Sequence, residues 1–201
     1  DFAVEDLAGE PVTAVPSASA IVAKLVPPPA GEASNVWVPY VTRVETVSTV
    51  GDWPNPVGTT ALQGNAESNG AFTNHGDGTY TYVFATNLST ATAGGALVGY
   101  DRSLLHRVSV MMGGHDGPTA DANLDFVPDG SAATESRALV ETASCKACHG
   151  EEFHGHGGNR LTVENCATCH TAGMTDANGG ESLDLKVMIH KIHAGGELRS
   201  L

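Results

Sequence analysis

The most reactive side chains of this sequence are concentrated between residues 145 and 170, in the stretch CKACHGEEFHGHGGNRLTVENCATCH. All four cysteines of the 201-residue chain lie there, together with four of its nine histidines. The cysteines form two C-x-x-C-H motifs, at residues 145–149 and 166–170. Thiols and imidazoles in such patterns bind zinc, form redox disulfides or attach haem, so three kinds of chemistry compete here.

Haem attachment explains the most residues. In C-x-x-C-H the two thiols add across the vinyl groups of a porphyrin, and the histidine that follows binds the iron. Two complete motifs, each with its own histidine, are a far stronger signal than one. The sequence therefore predicts two covalently attached c-type haems, bound through Cys145, Cys148 and His149 and through Cys166, Cys169 and His170.

Three alternatives stay open at this point. The spacing C-x2-C-x17-C-x2-C also suits a structural four-cysteine zinc site in an extracellular β-domain, although it leaves the histidines unexplained. A redox disulfide needs a thioredoxin-like strand-to-helix context, which neither motif has. A haem reductase with one open iron position, acting on a small oxyanion, is the third.

Further histidines are candidates for a second ligand on each iron. His190 and His193 lie three residues apart on a predicted helix, so they share one broad face and can reach two different haems. His156 lies in H-G-G, where glycines let the backbone approach a flat macrocycle. His154, two residues away, is the weaker candidate. Two histidines per iron leave no open position for a substrate, so we predict an electron carrier rather than an enzyme, with terminal metal reduction left open.

Three other features have less specific interpretations. Met174 and Met188 are expected to pack in the core or lie in a loop rather than bind iron. His106, in LLHRVSV, belongs to a predicted strand, although it remains a candidate for reaching a haem across an interface. The D-x-N-x-D segment at residues 121–125 resembles the start of a calcium loop but lacks the later Gly and Glu. We therefore expect a solvated loop there.

The first two thirds of the chain have the texture of β structure, because short apolar or alternating runs are separated by Gly, Pro, Asn and Asp. This pattern predicts a Greek-key β-sandwich or barrel at residues 1–134, followed at 135–201 by a small, loop-rich multihaem module with few helices. The predicted strands are Phe2–Val4, Ala18–Val26, Val36–Val50, Thr79–Ala85 and Leu105–Met112.

The last third of the chain has little regular structure beyond two predicted helices. One runs from Leu183 to His193, with Ser182 as its N-cap and Gly195 at its end. A shorter helix is expected from Glu135 through Ser144 into the first cysteine pair. Because this segment has so little regular structure, it needs another source of order, such as a metal or a large cofactor.

Charge and hydropathy exclude several classes of function. The chain has 23 Asp and Glu against 10 Lys and Arg, a formal net charge of −13. Such an acidic surface repels phosphate backbones, so we expect no nucleic-acid partner. No run of about 18 apolar residues is present, which predicts no transmembrane segment.

Several longer stretches resemble the OmcA/MtrC group of extracellular, outer-membrane multihaem c-type cytochromes. In the β part the similarity rests on DLAGEPVTAV, IVAKLVPPP, GDGTYTYVFAT and YDRSLLHRVSV. In the haem part it rests on ETASCKACHGEEFHGHGGNRLTVENCATCH and LDLKVMIHKIHAGGEL, which are more specific. His156, His190 and His193 match the histidines of the family's H-G-G and I-H-x-I-H motifs.

The resemblance implies a Greek-key β domain packed on closely spaced bis-histidine haems. It also implies electron passage to metal oxides, flavins or other cytochromes at the outer-membrane surface, with the periplasm as the alternative location. Family members have ten haem motifs and this sequence has two, so we interpret it as a fragment or a shortened relative. Copies of the chain itself are further candidate partners, in a longer haem chain or a filament.

Overall fold

The structure is a computed structural model, and it describes residues 1–28, 30, 33–114, 118–134, 137 and 140–195. These residues form eleven strands and three helices. The strands are β1 (Phe2–Ala3), β2 (Ser19–Val26), β3 (Val36–Pro39), β4 (Thr42–Thr46), β5 (Thr60–Gly64), β6 (Ala71–Asn74), β7 (Thr79–Val83), β8 (Thr92–Ala93), β9 (Ala96–Leu97), β10 (His106–Met112) and β11 (Ala120–Phe126). The helices are α1 (Thr142–His149), α2 (Val163–Cys169) and α3 (Leu185–His193).

Two antiparallel sheets pack face to face in the first part of the chain. One has the order β1-β7-β6 and the other β11-β10-β2-β3, while β4-β5 and β8-β9 are separate pairs. Apolar side chains from both sheets meet between them, including Phe2, Phe72, Ala20 and Val110. Within the described residues every sheet is open rather than closed on itself, so the predicted β-rich fold is confirmed as a sandwich and not as a barrel.

Strand β2 is buried on both faces, which explains its continuous apolar sequence SAIVAKLV. Side chains alternate along a strand. Ala20 and Val22 therefore contact clusters inside the β part, whereas Ala23 and Leu25 join a cluster that contains helix residues. That second cluster includes Val163, Ala167 and Leu185 together with Trp37 and Leu105. The helical part thus covers the outer face of the four-stranded sheet.

Strands β10 and β11 present a polar face to the same helices. Asp121, Asn123 and Asp125 alternate along β11, so their side chains lie on one side of the strand. The solvated loop expected at 121–125 was a wrong prediction: the D-x-N-x-D pattern is strand alternation. It resembled a calcium loop because both patterns place polar residues at every second position.

The carboxylate of Asp121 holds the start of α2. Its Oδ2 accepts hydrogen bonds from the backbone N–H of Leu161 and of Thr162, both at 3.0 Å, and from the Thr162 hydroxyl at 2.8 Å. Thr162 is the N-cap of α2, and its Oγ1 accepts from the Asn165 N–H. The Asn123 amide donates to the Thr162 Oγ1 as well, at 2.9 Å. Strand β11 therefore fixes the position of the helix that carries the second cysteine pair.

Arg107 reinforces this contact from the neighbouring strand. Its guanidinium donates two hydrogen bonds to Asp125, at 2.6 and 2.7 Å, and a third to the Glu164 carbonyl at 3.3 Å. It also lies over the Trp37 ring, 4.6 Å from the centroid. Arg107 is only 6% exposed, so its positive charge needs partners. The bidentate bond to Asp125, together with the Glu164 carbonyl and the Trp37 ring, compensates that buried charge.

Some predicted boundaries were wrong. The long strand Val36–Val50 is divided at residues 40 and 41 into β3 and β4, which belong to different sheets. The N-cap of α3 is Asp184 rather than Ser182, because the Asp184 carboxylate accepts from the Lys186 N–H. Helix α1 begins at Thr142. The residues of its expected earlier course at 135, 136, 138 and 139 lie outside the described part of the chain.

The Asp121 contact leads to a stability prediction. Asp121→Ala removes three hydrogen bonds and leaves two backbone N–H groups without their acceptor, which costs about 1–3 kcal/mol of unfolding free energy. Urea unfolding of the purified chain measures the loss. The matched control is Asp52→Ala, at an exposed position, which should change the free energy by less than about 0.5 kcal/mol. Equal losses in both variants would contradict the role assigned to Asp121.

Candidate haem-binding site

Helices α1 and α2 each carry one C-x-x-C-H motif and are joined by side-chain bonds. The Thr142 hydroxyl donates to the Glu164 carboxylate at 2.9 Å and accepts from the Val163 N–H at 2.9 Å. Cys145 and Cys166 both pack against the apolar cluster on the outer sheet face. The two motifs therefore lie side by side against a common base.

The second motif lines a cavity of about 320 Å³, here called the α2 cavity. Cys166, Cys169 and His170 contribute to it from the end of α2, and His156 from the loop between the motifs. The β part contributes as well, through Arg43 and residues 63–66, and the remaining lining residues include Arg160, Asn165, Asp176 and Leu183. The volume lies within the range of roughly 300–1,000 Å³ that is usual for cofactor pockets.

Two histidines meet in this cavity. The Nε2 atoms of His156 and His170 are 3.3 Å apart, and their ring centroids are 5.7 Å apart. His170 Nδ1 lies 3.1 Å from the Leu183 carbonyl oxygen, which can only accept, so Nδ1 carries the proton and Nε2 faces His156 as a lone pair. Bonds from imidazole to zinc are about 2.0–2.1 Å, so two imidazole nitrogens can both reach one metal ion only when they are roughly 4 Å apart or less. The pair meets this condition.

The backbone at His156 is unusual. Its φ of 51° is the one positive value among the non-glycine residues that the structure describes, and Gly157 and Gly158 follow with φ of 80° and 105°. A left-handed conformation costs a non-glycine residue energy and is found most often at functional sites. The two glycines make the tight turn that directs the His156 ring to His170.

The surroundings favour neutral imidazoles. Partial desolvation lowers the pKa of His156, and the positive charges of Arg160 and Arg43 lower it further. Burial also lowers the pKa of His170, although its bond to the Leu183 carbonyl opposes the shift. A histidine must be neutral to bind a metal ion, so both rings are in the binding form at neutral pH.

The first motif is more open than the second. Cys148 and His149 are exposed, and the His149 ring lies 5.8 Å from the Phe153 ring and 6.0 Å from the His193 ring, centroid to centroid. The His193 ring approaches that of His149 edge-on, at an interplanar angle of 78°. The structure therefore brings the predicted iron ligand of the first motif beside a histidine of α3.

Helix α3 presents apolar surface around this second pair. Ile189 and Ile192 are 39% and 64% exposed, and Ile189 lies one turn before His193 on the same face of the helix. His193 Nδ1 donates to the Ile189 carbonyl at 2.8 Å, which leaves Nε2 as the lone pair. An exposed isoleucine on the same face as an imidazole suits an apolar macrocycle, so Ile189 and His193 are compatible with a haem beside α3.

Two of the predicted candidates lie outside both pairs. His190 is exposed on α3, where its Nδ1 donates to the Lys186 carbonyl at 3.3 Å. Among the described residues, its ring makes no ring contact with the histidine of either motif. His154 is exposed, as His156 is, but in the part of the chain that the structure describes its ring contacts neither motif histidine. Within the described residues, His193 rather than His190 lies beside a C-x-x-C-H histidine.

The structure does not favour the zinc alternative. Within the described residues, which include all four cysteines, no group of three or more His, Cys, Asp or Glu is arranged to hold a metal ion. Burial raises the pKa of the Cys166 thiol to about 11 and that of Cys169 to about 12. In the absence of a metal ion both groups are therefore neutral thiols.

Three weaker assignments are also resolved. Met174 is buried, and Met188 packs against the cluster on the outer sheet face, so both have the packing role that was predicted. His106 is fully buried and both its nitrogens are occupied. Its Nδ1 donates to the Leu104 carbonyl at 2.8 Å, and its Nε2 accepts from the Tyr40 hydroxyl at 2.9 Å. It is a core residue of the β part and not a haem ligand.

The contribution of the β part to the α2 cavity was missed by sequence reasoning. Gly64, at the end of β5, lies so close to the last turn of α2 that a Cβ added there would be 2.9 Å from the Cys169 Cα. The Gln63 amide donates to the Thr175 carbonyl at 3.1 Å. Nothing in the local sequence of β4 or β5 marks these residues, because they meet the haem part only after the chain has folded.

Comparison with known proteins agrees with this arrangement. Residues 137–200 match the family described as outer membrane cytochrome MtrC/MtrF-like, domains II/IV. A curated relative, the multiheme cytochrome MtrC of Shewanella baltica (strain OS185), is 35% identical over 140 residues, which is 66% of this chain and 20% of that protein. This chain is a relative of the OmcA/MtrC-type multihaem cytochromes.

Solved OmcA/MtrC-type structures extend the likeness over the β part. The outer membrane decaheme cytochrome OmcA superimposes with a TM-score of 0.84 at 30% identity, covering 98% of this chain and 30% of OmcA. MtrC from Shewanella baltica OS185 gives a TM-score of 0.68 at 27% identity, covering 96% of this chain and 29% of MtrC. The chain thus spans about a fifth to a third of the length of these relatives. Among the described residues no helix is both long and apolar enough to cross a membrane.

Burial of His106 leads to a pH prediction. Burial lowers its pKa below the ordinary value of about 6.5, so the unfolded chain binds a proton at this site more readily than the folded chain does. Above pH 6.5 both states are neutral there, and the unfolding free energy has no pH dependence from His106. Below it, stability falls as pH decreases towards the folded pKa, by at most about 1.4 kcal/mol per pH unit.

Urea unfolding between about pH 5 and pH 7.5 measures this dependence. His106→Gln should give a smaller slope than the parent chain below pH 6.5, although it also loses stability at every pH because Tyr40 loses its acceptor. The control is His75→Gln, at an exposed turn residue, which should keep the parental slope. An unchanged slope in His106→Gln would contradict the prediction.

Proposed function

We propose that this chain carries electrons through two covalently bound c-type haems, each held by two histidines, in extracellular respiration. The observation that carries the proposal is that each C-x-x-C-H histidine lies beside a second histidine, His170 beside His156 and His149 beside His193. An iron with two imidazole ligands has no open position for a substrate, which favours electron transfer over catalysis.

The residues of the two motifs have defined parts in this proposal. The four cysteines would hold the haems by thioether bonds, since an S–H group adds across a vinyl group without a leaving group. The bonds from His170 and His193 to backbone carbonyls fix their ring orientation and leave Nε2 for iron. Haem supplies a one-electron couple, whose potential depends on its ligands and surroundings.

His190 belongs to neither pair in this proposal. Its Nδ1 is bonded to the Lys186 carbonyl in the same manner as that of His193 to the Ile189 carbonyl, so its Nε2 is equally available to a metal ion. We infer that it serves a further haem, in a longer form of the chain or in a neighbouring copy. With this assignment, the two haems of this chain would belong to a longer row of haems.

The similarity to OmcA and MtrC supports the wider setting. OmcA is described as an outer membrane decaheme cytochrome and MtrC as a multiheme cytochrome. We propose the same surface of the cell for this chain, with other multihaem cytochromes or copies of itself as partners and with metal oxides or flavins as acceptors. It acts as a carrier, and reduction of a metal oxide would be electron transfer from an exposed haem.

The division into a β domain at residues 1–134 and a dihaem module at 135–201 remains part of the proposal. It is supported by the placement of all described strands before residue 127 and all described helices after residue 141. The β domain, expected to serve in docking or assembly, also supplies a wall of the α2 cavity through Arg43 and residues 63–66.

Mass and absorption test the cofactor directly. We expect the chain produced in a host that attaches c-type haem to have an intact mass that exceeds the polypeptide by two haem groups. Its reduced spectrum should show sharp low-spin α and β bands. A mass equal to the bare polypeptide would contradict both haem attachment and electron transfer. A high-spin band that cyanide shifts would favour the reductase with an open position.

Ligand variants test the two histidine pairs. His156→Ala should convert the haem at the second motif to a high-spin form, and His193→Ala should do the same at the first, because each loses one of two imidazoles. The control is His190→Ala on the same helix, which should leave both haems of this chain low-spin. Loss of a low-spin signal in His190→Ala but not in His193→Ala would contradict the pairing.

A further inference from the structure

The α2 cavity contains polar groups that the two histidine ligands do not explain. Arg43, Arg160 and Asn165 all line it, together with His156 and His170. Two guanidinium groups in one cavity are unexpected in a chain that has only 10 basic residues and a net charge of −13. Their convergence suggests an anionic group in the same space.

Asn165 supplies the clearest indication. The residue is 2% exposed, and its Nδ2 is one of two buried side-chain nitrogen or oxygen atoms that have no hydrogen-bond partner within the described residues. Its main chain is already engaged, since the N–H donates to Thr162 and the carbonyl accepts from the Thr168 hydroxyl. A buried amide donor without an acceptor costs about 1–3 kcal/mol, so an acceptor within its reach in the adjoining cavity would recover that cost.

The two arginines have donors to spare. In the described part of the chain Arg160 bonds to the Asn159 side-chain carbonyl and has no carboxylate partner. Arg43 bonds to Gln63 at 3.2 Å and to Glu45 at 3.1 Å, and an arginine carries five N–H groups. Both positive charges act on the thiol of Cys169 as well as on His156, so both lie within electrostatic reach of the attachment site.

We propose that Arg43, Arg160 and the Asn165 amide form a subsite for the propionate carboxylates of the haem attached at Cys166 and Cys169. This inference rests on the proposed function, because it requires that haem. A haem is an apolar macrocycle with two carboxylates at one edge, and guanidinium groups bind carboxylates in a bidentate manner. The subsite thus fixes the orientation of the ring within the α2 cavity.

The first motif has no matching set of donors in the described structure. Its flanking cation, Lys146, is paired with Glu151 at 2.7 Å. Positive charge stabilises the reduced form of a nearby iron, because reduction adds an electron. The subsite therefore raises the midpoint potential of the second haem relative to the first, and this orders the two sites along an electron path.

Spectroelectrochemical titration of the haem-loaded chain, combined with resonance Raman spectra of the propionate bending band, tests the subsite. Arg160→Gln should lower the midpoint potential of one of the two haems and shift its propionate band, whereas Arg160→Lys should retain most of the potential. Asn165→Leu removes the amide donor without a change of charge, so it should shift the band with a smaller effect on the potential. Arg102→Gln, at an exposed position away from the cavity, is the control and should leave both properties unchanged.

The outcomes separate this subsite from the proposed function. If Arg160→Gln keeps its haem, its propionate band and both midpoint potentials unchanged, the subsite is overturned. The proposal of electron transfer would then remain intact. An Arg102→Gln shift as large as that of Arg160→Gln would also overturn it, because the effect would then be general electrostatics. A mass without haem in the parent chain would instead contradict the proposed function. Arg160 is only half-buried, so its variants keep the test decisive if Asn165→Leu does not fold.

Discussion

The attachment of helix α2 to strand β11 determines where the second C-x-x-C-H motif lies in the fold. One carboxylate, that of Asp121, accepts three hydrogen bonds at the start of the helix, and Arg107 ties the next residues of the helix to the neighbouring strand. These bonds are formed beside the apolar cluster that joins β2 and β3 to Val163 and Ala167. Polar bonds therefore set the position of the helix, and apolar burial supplies most of the stabilisation.

With α2 fixed, the other residues of the α2 cavity are constrained as well. The last turn of the helix lies against Gly64, and the chain then returns so that Leu183 accepts a hydrogen bond from His170. His156 reaches the same point from a glycine-rich turn with a left-handed backbone. Two histidines from separate segments thus meet in a cavity that β structure also lines. The β part is accordingly a wall of the haem site that we propose.

The two C-x-x-C-H motifs differ in their surroundings, so the two haems proposed for them would differ in potential. The second motif lines a cavity and has two arginines near it, whereas the first is exposed and its nearby lysine is paired with a glutamate. Enclosure and positive charge both change the potential of a haem. A chain with similar motifs but different surroundings can pass electrons in order, and the likeness to OmcA and MtrC indicates that such units occur within longer proteins.

The sequence alone determined the chemistry and the type of fold. Cysteine spacing with an adjacent histidine is a local property, as is the alternation that predicts β strands, so both are evident before the chain is folded. Three features needed the tertiary structure: the choice of His193 over His190 beside His149, the strand at 121–125, and the cavity wall from Arg43 and Gly64. Each depends on contacts between residues far apart in the chain, and such contacts exist only once the sheet and the helices have packed together. The same reason explains the misplaced cap of α3, where Ser182 and Asp184 are equally good by local chemistry and packing decided between them.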